Sequence, residues 1–126
     1  MSVYDHARRL QRKLKDSKEY QNYQELREKV MEKSGSKKML IDYQNLMMKL
    51  QNKRIAGEEL AEEDKEKLQN LQNLIEINSN VKKYLEAEYQ LSKMINDIQK
   101  IVFSELEIGI AEEELEAETE EENSEK

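Results

Sequence analysis

Residues 80–107, NVKKYLEAEYQLSKMINDIQKIVFSELE, decide the fold class. Val81, Tyr84, Leu85, Leu91, Met94, Ile95, Ile98, Ile101, Val102 and Leu106 recur mostly at intervals of three and four, the period of one helical face. Neither Gly nor Pro interrupts the run. At 1.5 Å per residue such a helix reaches ~42 Å, longer than a compact domain of this size needs. Its apolar face is the broadest in the chain and is expected to be buried on more than one side. A second subunit is the natural cover, which marks Leu91, Met94, Ile95, Ile98 and Val102 as self-association residues.

Upstream, the helical period repeats in shorter pieces. Val3, Ala7, Leu10 and Leu14 form a first stripe at 4-3-4 spacing. Asp16 followed by Glu19 has the form of a capping box and opens a second helix with the stripe Tyr20, Tyr23, Leu26 and Val30. Ser34-Gly35 reads as its stop, because Gly accepts the left-handed conformation that ends helices. Ser36 is then the N-cap of a third helix, with Met39, Tyr43, Leu46 and Leu50 as its stripe, widened by Leu40 and Met47. Gly57 is a second stop. Glu62, Glu63 and Asp64 fill the first turn of the next helix, where negative charge opposes the positive end of the helix dipole, and Leu68, Leu71 and Ile75 continue the stripe. Asn78, Ser79 and Asn80 form a breaker without Gly or Pro, compatible with a kink or a loop. After Gly109 the pattern dissolves into Glu-rich sequence that cannot offset the entropy of ordering.

Composition agrees. Ala, Glu, Lys, Leu and Arg make up half of the 126 residues, with no Pro, Cys or Trp and three Gly, the signature of a long-helix protein. The net charge of −7 is unevenly spread. Residues 112–126 hold nine Glu and one Lys, so the remainder is nearly neutral. The start is basic, with Arg8, Arg9, Arg12, Lys13 and Lys15 against Asp5 alone in residues 1–15. No apolar stretch has the form of a signal peptide or approaches a membrane span, so a cytoplasmic location is expected.

Candidate chemistry is sparse. The absence of cysteine excludes thiolate zinc sites, cysteine-ligated clusters and disulfides. The single histidine, His6, adjoins Asp5, but neighbours on a helix diverge and do not face each other. It reads as a surface histidine. Glu88 falls between Tyr84 and Leu91 on the apolar side, where a buried ion pair with a cation of another helix is favoured over a catalytic carboxylate. No nucleophile motif, phosphate loop or catalytic carboxylate pair is present. The expectation is therefore no enzyme, no cofactor and no metal. Arg8, Arg12 and Lys15 share a face and could track phosphates, with Arg9 and Lys13 beside them. A solvated basic face is favoured, since the body is not basic and the acidic tail repels polyanions. Of the methionines, Met48 lies off the main stripe and is a candidate partner contact.

Three segments, DHARRLQRKLKDSKEYQNYQELREKV, LQNKRIAGEELAEEDKEKLQNLQ and NSNVKKYLEAEYQLSKMINDIQKIV, together resemble the YlbF/YmcA family of small bacterial helical proteins, and more closely its YheA-like branch. The features in register are the Asp5/Ala7/Leu10 start, the turn at residues 56–59 and the string from Asn80 to Glu88, over residues 3–108. The resemblance implies an all-helical, cytoplasmic, self-associating protein. It also implies a non-enzymatic regulator: some members control competence, sporulation and biofilm formation within a complex that modulates messenger RNA processing by a membrane-bound endoribonuclease. Some bind an iron–sulfur cluster through cysteines, a property that does not transfer to a chain without them.

The sequence thus predicts an all-α protein, an antiparallel hairpin or bundle of four to five helices. Residues 1–108 form the helical domain and 109–126 a mobile acidic tail. The protein is expected to be a homodimer through its last helix. Its expected role is regulatory or scaffolding, through contact with a protein partner the sequence does not name. The alternative is an RNA-associated accessory factor using the basic helix.

Overall fold

The computed structural model describes residues 1–107, which hold five α-helices and no strand. They are α1 (Val3–Asp16), α2 (Lys18–Glu32), α3 (Ser34–Ile55), α4 (Glu62–Ile77) and α5 (Ser79–Phe103). The expected acidic tail lies outside the described residues. The chain divides into two units, Met1–Lys93 and Met94–Lys126.

Three of the four connections are single residues. Ser17 (φ −66°, ψ 151°), Lys33 (−107°, 118°) and Asn78 (−102°, 98°) each adopt extended backbone between two helices. At each joint the amide closes the outgoing helix with a bond to the carbonyl three residues earlier: Leu14, Val30 and Ile75 respectively. The joint's own carbonyl accepts the first bond of the incoming helix, from Gln21, Lys37 and Lys82. One residue therefore satisfies orphan groups of two helix ends at once. Ser17 also uses its side chain both ways. Its Oγ donates to the Leu14 carbonyl (2.6 Å) and accepts from the Tyr20 amide (3.2 Å).

These joints correct two expectations. The cap of α2 is Ser17, whereas Asp16 ends α1; the serine hydroxyl can serve both termini and a carboxylate cannot donate. Ser34-Gly35 does not stop α2 but lies in the first turn of α3, with no left-handed backbone at Gly35. Ser36 is accordingly a buried residue inside α3 rather than its cap.

The remaining connection is a true turn. Gly57 has φ 75°; its amide bonds to the Arg54 carbonyl and that of Glu58 to the Lys53 carbonyl. This pair of bonds is the Schellman arrangement, which places a glycine where an L side chain would be strained. The chain then reverses into α4. Lys53 meets Asp64, and further along one groove is lined by Leu46 with Leu71 and by Asp42 with Leu74, so α3 and α4 form an antiparallel hairpin.

The core of the N-terminal unit joins Leu26 and Val30 of α2, Leu40 of α3, Ile75 of α4, and Val81, Tyr84 and Ala87 of α5. Tyr23, Met39, Tyr43 and Leu85 pack around it. Leu40, Val30 and Val81 are its most deeply enclosed side chains. Asn78 anchors this core at the α4–α5 joint. Its Oδ1 accepts from the Val81 amide (3.1 Å), capping α5, and its Nδ2 donates to the buried Ser36 hydroxyl on α3 (3.2 Å). The break at 78–80 is thus a one-residue joint followed by helix.

Candidate functional site

The basic helix α1 begins with a capping box. Ser2 Oγ accepts from the Asp5 amide (3.2 Å), and Asp5 Oδ2 accepts from the Ser2 amide (3.0 Å) and hydroxyl (3.1 Å). These bonds, the backbone one foremost, hold the Asp5 carboxyl below the usual carboxylate range. Arg8 is drawn back onto the same carboxylate (3.3 Å) in an exposed pair, a geometry worth little in water. Arg9, Arg12, Lys13 and Lys15 make no ion pair among the described residues and all are exposed. No residue of α1 is buried. Its apolar stripe is largely open too: Val3 and Ala7 are exposed, Leu10 borders on exposed and Leu14 is half-buried.

The C-terminal unit carries the second open surface. Met94 and Ile98 are half-buried, while Ile95 is 40% exposed, Val102 46%, Phe103 55% and Ile101 79%. Leu91, expected to share in self-association, is buried in its own chain: it lies one turn beyond Ala87 on the core-facing side of α5, so the open face begins at Met94.

Two polar clusters have structural geometry. Glu88 is half-buried and no cation lies within ion-pair distance among the described residues, so the ion pair expected there is not formed. What stands near it is a phenol. Tyr84 shares a 3.1 Å hydroxyl contact with Tyr23 across ring centroids 5.4 Å apart. Burial pushes the Tyr84 phenol well above the ordinary tyrosine value, with Tyr23 and Glu88 adding to the shift.

The buried ion cluster falls instead at Asp64. Its carboxylate is 3% exposed and accepts from Lys53 Nζ (2.6 Å) and Lys49 Nζ (3.0 Å). The Lys53 bond, then the Lys49 bond, hold the Asp64 carboxyl low, and Lys53 is raised in turn by Asp64. Sequence reasoning assigned Asp64 only to the helix dipole. The missed signal was two lysines four residues apart on α3, facing an acid across the glycine turn. The cluster clamps the hairpin, and every oxygen of the carboxylate is engaged.

Shallow grooves of about 500 Å³ lie between α3 and α4, lined by Leu46, Leu71 and Leu74 with Lys49 and Lys67, and beside the α3 terminus. The latter, about 460 Å³, includes Met48, which is 63% exposed. Among the described residues no group of His, Asp or Glu could hold a metal ion, and no helix is long and apolar enough to cross a membrane.

Residues 3–107 match the model of a protein family described as "Control of competence regulator ComK, YlbF/YmcA". The chain is 46% identical to a UPF0342 protein of Halothermothrix orenii over 114 residues, covering 90% of this chain and 97% of that one. It is 35% identical to a UPF0342 protein of Symbiobacterium thermophilum, covering 86% and 96%. Among solved structures, a "Protein of Unknown Function (DUF964) from Bacillus stearothermophilus" superposes with a TM-score of 0.70 at 20% identity, over 81% of this chain and 90% of that one. That likeness shows the same fold.

Proposed function

The chain belongs to the YlbF/YmcA family, and from that premise we propose that it is a non-enzymatic, cytoplasmic regulator or scaffold that works by protein contact and self-associates through α5. The family's description, control of the competence regulator ComK, supports the regulatory part. The observation that carries the contact mechanism is the exposure of four large apolar side chains of α5, Ile95, Ile101, Val102 and Phe103. Apolar surface left in water costs about 25 cal/mol per Å² relative to burial, and a protein partner removes that cost. Catalysis has no comparable support, because Asp64 is engaged by Lys49 and Lys53 of α3 and Tyr84 by Tyr23 of α2.

Light scattering of the full chain tests the self-association. Expected is a mass above the 15.0 kDa of one chain; a stable monomer independent of concentration sinks this part of the reading. Affinity capture from a native bacterial lysate, with and without ribonuclease, tests the rest. Partners that survive ribonuclease, and are lost on Met48→Asp or Val102→Asp, support the protein-contact mechanism.

The exposed, unpaired Arg9, Arg12, Lys13 and Lys15 favour one second reading, an RNA-associated accessory factor. It requires salt-dependent RNA binding that weakens when Arg8, Arg9 and Arg12 become Glu. Under the protein-contact reading those changes leave RNA retention at background.

A further inference from the structure

Two helical seams in this chain lack a cover, and they match. On α1, Val3, Ala7, Leu10 and Leu14 follow one another at intervals of 4-3-4. On α5, beyond the buried Leu91, Ile95, Ile98 and Val102 follow at intervals of 3-4, as Ala7, Leu10 and Leu14 do. The α1 stripe spans only about 60° of the helix circumference at ~100° per residue, the narrow seam of a two-helix contact rather than the wide face of a membrane-surface helix. The stretches Ala7–Leu14 and Ile95–Val102 each advance 7 residues, ~10 Å at 1.5 Å per residue, so the three α5 knobs have counterparts along α1. Charge matches as well. In α1, five basic residues against Asp5 and Asp16 leave +3; in residues 94–107, Lys100 against Asp97, Glu105 and Glu107 leaves −2. Two copies of residues 94–107 placed together would set like charges against each other, whereas α1 against this stretch sets opposite ones.

We propose that α1 of one protomer packs its Val3–Ala7–Leu10–Leu14 seam on the Ile95–Ile98–Val102 seam of a second copy of this chain. The exchange is reciprocal, so a two-fold dimer closes both seams at once. The proposal rests on the self-association reading and specifies what covers α5: the partner's α1, not the partner's α5. It also gives α1 a reason to be amphipathic while none of its residues is buried within its own chain.

The chain has no cysteine, so single cysteines report proximity without background. Gln11→Cys and Gln99→Cys flank the two seams without entering them. The two variants are co-expressed in the full-length chain, treated with a short bis-maleimide and resolved by denaturing electrophoresis. The expected result is a covalent dimer from the mixture, far above the yield from either variant alone. In parallel, Leu10→Asp is weighed by light scattering; it lies outside the core, so helix content by circular dichroism is expected to stay intact. It should weaken the dimer at least ~100-fold, since each dimer loses two leucine contacts and gains two buried charges. A wild-type monomer overturns both this proposal and the self-association reading. A dimer that cross-links only through Gln99→Cys, and is indifferent to Leu10→Asp, overturns the exchange while leaving self-association through α5 standing.

Discussion

Asn78 is the residue through which one side chain governs two contacts, and its replacement can be worked out in parts. In Asn78→Ala the Val81 amide loses the acceptor that caps α5, a loss of ~0.5–2 kcal/mol. The Ser36 hydroxyl, on a residue 5% exposed, loses the donor that reaches it from the joint, and a buried polar group without its partner costs ~1–3 kcal/mol. Together the change should remove about 2–4 kcal/mol and lower the melting temperature by ~10–20 °C in a domain of this size. Asn78→Ser separates the two effects: its shorter side chain still caps α5 but cannot reach α3, so only the Ser36 part is lost. The assay is urea denaturation followed by circular dichroism at one fixed protein concentration, with the slope against denaturant checked for constancy. A double-mutant cycle with Ser36→Ala completes it. Once Ser36 lacks its hydroxyl, Asn78→Ala should cost only the cap, giving a coupling of ~1 kcal/mol. Strict additivity of the two substitutions would refute the account of Asn78 as a tie between α5 and α3.

Three further outcomes follow from the geometry. Burial holds the Tyr84 phenol neutral in the fold, so its contribution is complete below the ordinary tyrosine value of about 10 and is lost as pH rises beyond it. Absorbance titration should show one of the six tyrosines ionising only with unfolding, and Tyr84→Phe should abolish that late step. The Asp64 carboxyl is held low by Lys53 and Lys49, so its contribution is present above the ordinary aspartate value of 3.8 and fades as pH falls through the lower value of the fold. Melting temperature measured from pH 7 to pH 2 should fall less steeply for Asp64→Asn than for the wild type, from a lower starting point; parallel curves would contradict the clamp. Leu40, 1% exposed, should cost ~3–5 kcal/mol as Leu40→Ala, and a loss under 1 kcal/mol in urea denaturation would mean that its site collapses freely.

The stripes were legible in the sequence because a helix buries residues by period, and period survives without any knowledge of the neighbours. Leu26, Val30, Leu40, Leu46, Leu50, Ile75, Val81 and Tyr84, all placed on stripes, are all buried. The joints were less legible. Lys33 has no turn propensity that announces a break, and Gly35, two residues away, drew the stop signal to itself. Ser17 lost its place to Asp16 because Asp16–Glu19 spells a capping box, whereas the structure needs a group that can donate backward as well as accept forward. At the polar sites the sequence showed which face a side chain takes but not who meets it there. Glu88 does turn inward, yet its neighbour is the Tyr84 phenol; Asp64 does open α4, yet two lysines from α3 converge on it. The basic residues of α1 lie in the open as their spacing implied, while the uncovered state of its apolar stripe is a tertiary fact that no stripe can announce.

The single-residue joints at Ser17, Lys33 and Asn78 carry a consequence for how this chain can change length. A helix advances ~100° per residue, so one residue added or removed between joints rotates everything downstream by that angle and turns the next stripe away from its neighbours. Helices α1 to α3, and the pair α4–α5, are in this sense cut to measure. Residues 56–61, between α3 and α4, are the sole slack among the described connections. An inserted epitope or reporter should be accepted there, between Glu58 and Leu60, and rejected at the three joints, and natural length variation in such proteins should gather at the same turn.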